Sequence, residues 1–174
     1  MKHLPTRRRI VVGVDGSAAS VAGLRWAARE AGLRRAELLA VCAWEGAERC
    51  RAPYAPLGGL PSPEEDRVAA ASLLAASVHA ALGQALPAAL RTELAEGRAE
   101  RVLLDRAAGA ELLVLGSTSR PGPLQNVAGP VHRACLRGAP CPVVIVGGCV
   151  NRAVTDARAG DRHPRVAAGA AARC

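Results

Sequence analysis

Two glycine-containing stretches carry the residues best suited to binding a small anionic ligand. The first, Gly13-Val-Asp-Gly-Ser17, follows a run of β-branched residues, and the second extends over residues 116–129 and precedes a helical segment. A glycine-rich loop before a helix suits phosphate, because its backbone N–H groups and the helix dipole both point toward the anion. The carboxylate of Asp15 can accept hydrogen bonds from an adenine or a ribose. Neither stretch is a Walker A loop or a GxGxxG, so plain tight turns remain the alternative interpretation.

The residue types that catalyse reactions do not form a recognisable set. Ser17, Ser117 and Ser119 lack a GxSxG context, and Cys141 stands between two prolines ahead of an apolar run, a position typical of the fold rather than of a nucleophile. The six cysteines include no CxxC pair and no histidine at metal-ligand spacing. We therefore expect no catalytic residues and no metal site.

Strands and helices that would position these stretches alternate along the chain. Apolar runs predict five strands, at Ile10–Val14, Glu37–Trp44, Leu90–Leu94, Glu111–Leu115 and Pro142–Val146. Helical patterns predict four helices, at 18–32, from 63 to about 82 or 86, at 99–108 and at 129–137. This order predicts an α/β protein with one doubly wound parallel sheet and helices on both faces. Ligands bind such sheets beyond the carboxyl ends of the strands, where both glycine-containing stretches lie.

Local residue types also predict where two of these helices begin and end. Asp15-Gly-Ser17 is a turn that can cap the first helix, and Gly32 is a suitable stop for it. Ser62 as N-cap, Pro63 at the first position and acidic residues in the first turn predict the start of the second helix.

Length and composition predict one globular domain with two basic extensions. The chain has 174 residues, half of them hydrophobic, and a formal net charge of +8. Most of that charge lies in a basic N-terminal arm, residues 1–9, and in a flexible basic tail, residues 149–174, so the folded segment 10–148 is nearly neutral. Aromatic residues make up only 2% of the chain, which argues against a stacking platform for single-stranded nucleic acid. The extensions are either solubilising ends or weak electrostatic contacts to nucleic acid.

Apolar segments of the chain do not favour export or membrane insertion. The run Ile10–Val14 is short and ends at Asp15, unlike a signal peptide. The uncharged segment Val68–Leu90 is interrupted by polar residues and a proline, and its large apolar residues follow a helical stripe. We expect a cytoplasmic protein whose second helix is amphipathic.

A combination of four motifs in the same chain resembles the universal stress protein family over about residues 9–148. The motifs are Val11-Val-Gly-Val-Asp-Gly-Ser17, Glu96-Gly-x-Ala-x-x-Val-Leu-Leu104, Leu112-x-Val-Leu-Gly-Ser117 and Ala139-Pro-Cys-Pro-Val-Val-Ile-Val146. The resemblance implies a Rossmann-like sheet of the adenine nucleotide alpha hydrolase-like type, with strand order 3-2-1-4-5. It also implies a bacterial cytoplasmic protein and a homodimer formed through the fifth strand, residues 142–146.

ATP-binding members of that family carry Gly-x2-Gly-x9-Gly-[Ser/Thr] after the fourth strand, and this chain keeps half of that pattern. Gly116 and Gly129 match the first and third glycines, whereas Ser119 replaces the second glycine and Pro130 replaces the hydroxyl residue. Proline has neither an N–H nor a hydroxyl, so it removes up to two donors for phosphate.

The remaining family positions complete the candidate site. Thr118 stands where the family has a basic residue, and His132 takes the place of a second hydroxyl. The N–H groups of Val131 and His132, the His132 ring and Arg120 offer compensation for Pro130, and an exposed first-turn position is the other interpretation of His132. The candidate nucleotide-binding residues are Gly13, Val14, Asp15, Val41, Leu115, Gly116, Thr118, Ser119, Gly129, Val131 and His132.

Three functions follow from these observations. The first is a stress-response regulator that binds or senses ATP, with Mg²⁺, through a degenerate phosphate loop and hydrolyses it at most very slowly. The second is a dimeric interaction module of the same family that binds no nucleotide and acts on an unidentified protein partner. The third is weak nucleic-acid association through the basic extensions.

Overall fold

The protein folds into a five-stranded parallel sheet with helices on both faces. Its computed structural model describes residues 8–46, 61–84, 86–117 and 129–147. The strands are β1 (Arg9–Gly13), β2 (Glu37–Trp44), β3 (Leu90–Glu96), β4 (Leu112–Ser117) and β5 (Val143–Gly147). The helices are α1 (Ala18–Arg34), α2 (Pro63–Leu82), α3 (Ala99–Ala107) and α4 (Pro130–Gly138). The sheet order β3-β2-β1-β4-β5 confirms the predicted fold.

The central strand β1 explains why the first apolar run is uninterrupted. β1 pairs with both β2 and β4, so it is the central strand of the sheet. Helices cover both of its faces. Ile10 and Val12 pack in the core beneath α1 and α2, and Val11 packs in the core beneath α3 and α4. All three side chains are fully buried, which is the environment that continuous β-branched runs favour.

Helix boundaries agree with the sequence except at the end of α1. Ser62 caps α2 in a capping box with Glu65, as Pro63 at the first position also predicted. The prediction that α1 ends at Gly32 was wrong, because the helix continues to Arg34. Arg35 ends it instead, in the left-handed conformation with φ of 54°, and its N–H bonds to carbonyls of the last turn.

Several predicted segments lie wholly or largely outside the described residues. They are the arm 1–9 except Arg8 and Arg9, most of the loop between β2 and α2, residues 118–128, and the tail 149–174. Within the described parts of the chain, no helix is both long enough and apolar enough to cross a membrane.

Candidate functional site

A cleft of about 230 Å³ opens at the carboxyl ends of β1, β2 and β4, beside the start of α4. Nine of the predicted binding residues line it: Gly13, Val14, Asp15, Val41, Leu115, Gly116, Gly129, Val131 and His132. The other two, Thr118 and Ser119, lie outside the described residues. The topology therefore brings the Asp15 turn together with Gly116 and Gly129, the two ends of the second glycine-containing stretch, as expected for this sheet.

Five further residues line the cleft and were not predicted as binding residues: Ser20, Ala43, Ala99, Leu103 and Pro130. Ala43 follows Val41 by two positions, so strand alternation was a signal that could have found it. Leu103 lies on the inward face of α3, which also faces the carboxyl end of the sheet. The sequence offered no comparable signal for Ser20.

The inner wall of the cleft is apolar, and its side chains are closely packed. The side chains of Val41, Leu103 and Leu115 are almost fully buried. A Cβ atom on Gly13 would lie 3.2 Å from methyl carbons of both Leu103 and Leu115, so only glycine fits this position without displacing them. This surface suits a flat, weakly polar ring.

Asp15 supplies the negative charge at the mouth of the cleft. The Ser17 N–H donates to Asp15 Oδ1 at 3.0 Å across Gly16, whose φ of 81° closes the turn. Burial works to raise the pKa of the Asp15 carboxyl, but the hydrogen bonds from Ser17 and Ser20 outweigh it and hold the pKa below its ordinary value. Asp15 is therefore ionised at neutral pH.

The buried hydroxyl of Ser20 fixes the Asp15 turn to the first turn of α1. It donates to the Ser17 carbonyl oxygen at 2.9 Å and accepts from the Asp15 N–H at 3.4 Å. Ser17 is the N-cap of α1, and its own hydroxyl accepts from the Ser20 N–H at 3.1 Å. These bonds hold the Asp15 carboxylate in position before any ligand binds.

Gly116 is required by the packing of α1 against the end of β4. A Cβ atom on Gly116 would lie 2.2 Å from the carbonyl carbon and oxygen of Ala19, and 2.5 Å from the Ser20 nitrogen. No real Cβ atom makes contacts this close, so the helix backbone reaches the end of β4 only over a glycine. The first glycine of the family pattern thus has a structural role in this chain.

The imidazole of His132 hydrogen-bonds to the end of β4. Its Nε2 lies 2.9 Å from the Gly116 carbonyl oxygen. Because a carbonyl only accepts, Nε2 carries the proton and donates it. The ring is half-buried, so the interpretation of His132 as an exposed first-turn residue was wrong.

The first turn of α4 offers backbone donors but no capping side chain. Gly129 is the N-cap, Pro130 is the first helical residue, and the first intrahelical bond runs from the Arg133 N–H to the Gly129 carbonyl. The N–H groups of Val131 and His132 therefore have no partner within the helix. Among the described residues of the cleft, Asp15 is the only side chain with a formal charge when His132 is neutral. The described residues also contain no cluster of three side chains able to hold a metal ion.

Comparison with protein families gives one consistent result. The sequence model of the universal stress protein family matches residues 6–147 of this chain. A universal stress protein of Mycolicibacterium smegmatis is 32% identical over 155 residues, which cover 85% of this chain and 51% of the relative. The chain spans about half the length of the curated relatives that it matches.

Solved structures of the same family share the fold. A universal stress protein in complex with cAMP has a TM-score of 0.57 and 21% identity, over 80% of this chain and 95% of that chain. A universal stress protein from Archaeoglobus fulgidus in complex with dAMP has a TM-score of 0.50 and 23% identity, over 81% of this chain and 98% of that chain. At these identities the likeness shows the architecture of the sheet.

Proposed function

Because the chain belongs to the universal stress protein family, we propose that it is a stress-response regulator that binds an adenine nucleotide in the cleft at the carboxyl end of its sheet. The observation that carries this proposal is the meeting of three elements in one cleft. They are an apolar interior, an ionised Asp15 at its mouth, and the free N–H groups at the start of α4. Solved structures of the same fold that contain bound cAMP or dAMP support it, as does a universal stress protein family protein from Arabidopsis thaliana with AMP bound.

Each part of the cleft has a role in this proposal. The apolar surface around Val41 and Leu115 packs against the base, which gains from removal of its faces from water. The Asp15 carboxylate accepts hydrogen bonds from the adenine or the ribose. The N–H groups of Val131 and His132 face a phosphate, and the helix dipole of α4 favours its charge.

ATP with Mg²⁺ is the specific ligand that the partial family motif suggests. The retention of Gly116 and Gly129 supports phosphate binding at this end of the sheet. The proposal includes no catalytic step. The proposed role is to bias an interaction with a protein partner in the bacterial cytoplasm through bound nucleotide.

Calorimetric titration of the purified chain with adenosine, AMP, cAMP and ATP with Mg²⁺ tests this proposal, after mass spectrometry for co-purified nucleotide. We expect saturable binding of at least one of these ligands, weakened at least about tenfold by Asp15→Ala. Asp105→Ala removes an exposed carboxylate of α3 that lies outside the cleft, and it should leave binding unchanged. Absence of heat with all four ligands, in a folded protein free of co-purified nucleotide, would refute the proposal.

The second candidate function is a dimeric interaction module without nucleotide. Pro130 favours it, because it removes a backbone donor from the turn that faces the ligand. The apolar edge strand β5 supports association with a second copy of the chain. Failure of all four titrations, combined with a stable dimer, would favour this candidate.

Nucleic-acid association through the basic extensions concerns residues outside the described ones. Its test compares binding to a DNA duplex at low and high salt, for the full chain and for a variant without residues 1–7 and 149–174. A steep salt dependence that is seen in the full chain and lost in the variant without the extensions would support it. Salt-independent or absent binding would reject it.

A further inference from the structure

We infer that Pro130 and His132 make this cleft selective for adenosine or an adenosine monophosphate over ATP. This inference rests on the proposed function, since it concerns the ligand of the same cleft. It differs from the motif-based expectation of ATP because it starts from the first turn of α4, where the chain departs from the family pattern.

The size of the cleft is the first argument. At about 230 Å³, the cleft lies below the roughly 300–1,000 Å³ that is usual for pockets that enclose drug-sized ligands. Its apolar interior and the Asp15 turn offer sites for a base and a ribose. Little enclosed volume remains for a chain of three phosphates.

Pro130 limits the donors that remain for additional phosphates. A helix N-terminus normally offers the N–H of its first residue to an anion, and a serine or threonine there would add a hydroxyl. Pro130 occupies that first position and has neither group. The N–H groups of Val131 and His132 are enough to bind one phosphate group, but they cannot also bind the next two.

The bond between His132 and Gly116 removes a further donor. His132 Nε2 donates to the Gly116 carbonyl, so this nitrogen is not available to a ligand while the bond is present. Among the described residues of the cleft, Asp15 carries a carboxylate and no lysine or arginine is present. In this part of the cleft, each added phosphate brings negative charge toward a carboxylate.

Two substitutions of Pro130 separate the effect of the missing backbone N–H from that of the missing hydroxyl. Pro130→Ala restores only the backbone N–H, whereas Pro130→Ser restores the N–H and adds a hydroxyl. Calorimetry with adenosine, AMP and ATP with Mg²⁺ measures the three affinities for the wild type and each variant. Pro142→Ser is the matched control, because Pro142 is also exposed but lies before β5, outside the cleft.

We expect the wild type to bind AMP at least about tenfold more tightly than ATP. Pro130→Ala should tighten ATP binding, and Pro130→Ser should tighten it further, to a combined gain of at least about tenfold. AMP affinity should change by less than about threefold, and Pro142→Ser should change neither affinity.

Three results would overturn this inference, and they differ in what they mean for the proposed function. Wild-type ATP affinity equal to or above that of AMP refutes the selectivity and leaves nucleotide binding intact. A preference for AMP that persists unchanged in Pro130→Ser refutes the role of Pro130. No binding of adenosine, AMP or ATP by a folded protein refutes the proposed function itself, and the selectivity with it.

Discussion

The imidazole Nε2 of His132 lies 2.9 Å from the carbonyl oxygen of Gly116, and this bond joins the first turn of α4 to the end of β4. Gly116 is also the residue over which the α1 backbone passes, at the level of Ala19. One glycine therefore connects the strand, the helix that follows the Asp15 turn, and the helix that borders the cleft.

Loss of the His132 bond should destabilise the protein. In His132→Ala the Gly116 carbonyl loses its side-chain donor in a partly buried site, which costs about 1–3 kcal/mol of unfolding free energy. Urea denaturation measures this change. His79→Ala is the matched control, because His79 is exposed on α2 and its side chain makes no hydrogen bond among the described residues, so its effect should stay within about 0.5 kcal/mol. Equal stability of the two variants would show that the His132 bond contributes nothing.

Adding a methyl group at Gly116 should cost more than loss of the bond. The new Cβ atom would lie 2.2 Å from the Ala19 carbonyl, so α1 or β4 must move. We expect Gly116→Ala to lower the unfolding free energy by about 3 kcal/mol or more, at the upper end of overpacking effects. The comparison is Gly32→Ala, where no atom lies within 4 Å of the added Cβ and the helix interior should gain about 0.5–1 kcal/mol. Thermal and urea unfolding of both variants decide the point, and a neutral Gly116→Ala would contradict the close approach.

Much of the fold and most of the cleft were predictable because their signals are local or repeated. β1 is a continuous β-branched run, and α2 carries its cap, proline and acidic first turn within a few residues. The parallel order then places the ends of β1 and β4 at the same edge of the sheet, whatever their side chains.

Contacts between elements explain what the sequence did not predict. The His132–Gly116 bond depends on how α4 docks against β4, and no periodicity encodes that docking. The left-handed Arg35 satisfies the end of α1 where a glycine three residues earlier offered the more usual stop. Ser20 is a polar residue in an apolar helix face, and only the turn that packs against it shows its role.

The charge of Asp15 should make stability depend on acid pH in a defined direction. Hydrogen bonds hold the pKa of folded Asp15 below its ordinary value of 3.8, in spite of the opposing effect of burial. The ionised form is thus favoured by folding, so its contribution is present in full above the unfolded pKa and is lost as pH falls through the folded pKa. Asp15→Asn should therefore be less stable than the wild type near pH 7, and the difference should shrink below pH 3.8. Urea denaturation of both proteins across this range measures it, and a difference that stays constant from pH 7 to below pH 3.8 would contradict the prediction.

Arg25 should stabilise the end of α2 from a neighbouring helix. Its Nε and Nη2 donate to the carbonyls of Ala81 and Ala80, which lie in the last turn of α2 and lack helical partners. Arg25→Ala should cost about 1 kcal/mol of unfolding free energy and increase amide exchange in that turn. Arg29→Ala is the control. Arg29 is an exposed residue of the same helix as Arg25, and its side chain makes no hydrogen bond among the described residues, so the substitution should leave exchange in α2 unchanged. Equal exchange in the two variants would assign the capping of α2 to water.

The two edges of the sheet predict where a second copy of the chain would bind. At the β3 edge, Arg91 forms an ion pair with Glu37, and Glu93 forms one with Arg106. Charged side chains on an edge strand discourage the addition of another strand. The β5 edge is the apolar sequence Val-Val-Ile-Val-Gly, and Ile145 exposes 40% of its surface there. We propose that β5 forms the homodimer, because an exposed apolar edge strand is stable in solution when it is paired or covered.

Light scattering with size-exclusion chromatography tests the β5 interface. The wild type should have the mass of a dimer, and Ile145→Lys should shift it to a monomer because it places a charge within the paired apolar edge. Leu33→Lys is the matched control, since Leu33 is the more exposed of the two side chains at 82% but lies on α1 and not on an edge strand. A wild-type monomer would refute the interface, and so would a dimer that persists in Ile145→Lys. A dimer that Leu33→Lys dissociates would instead place the contact on α1.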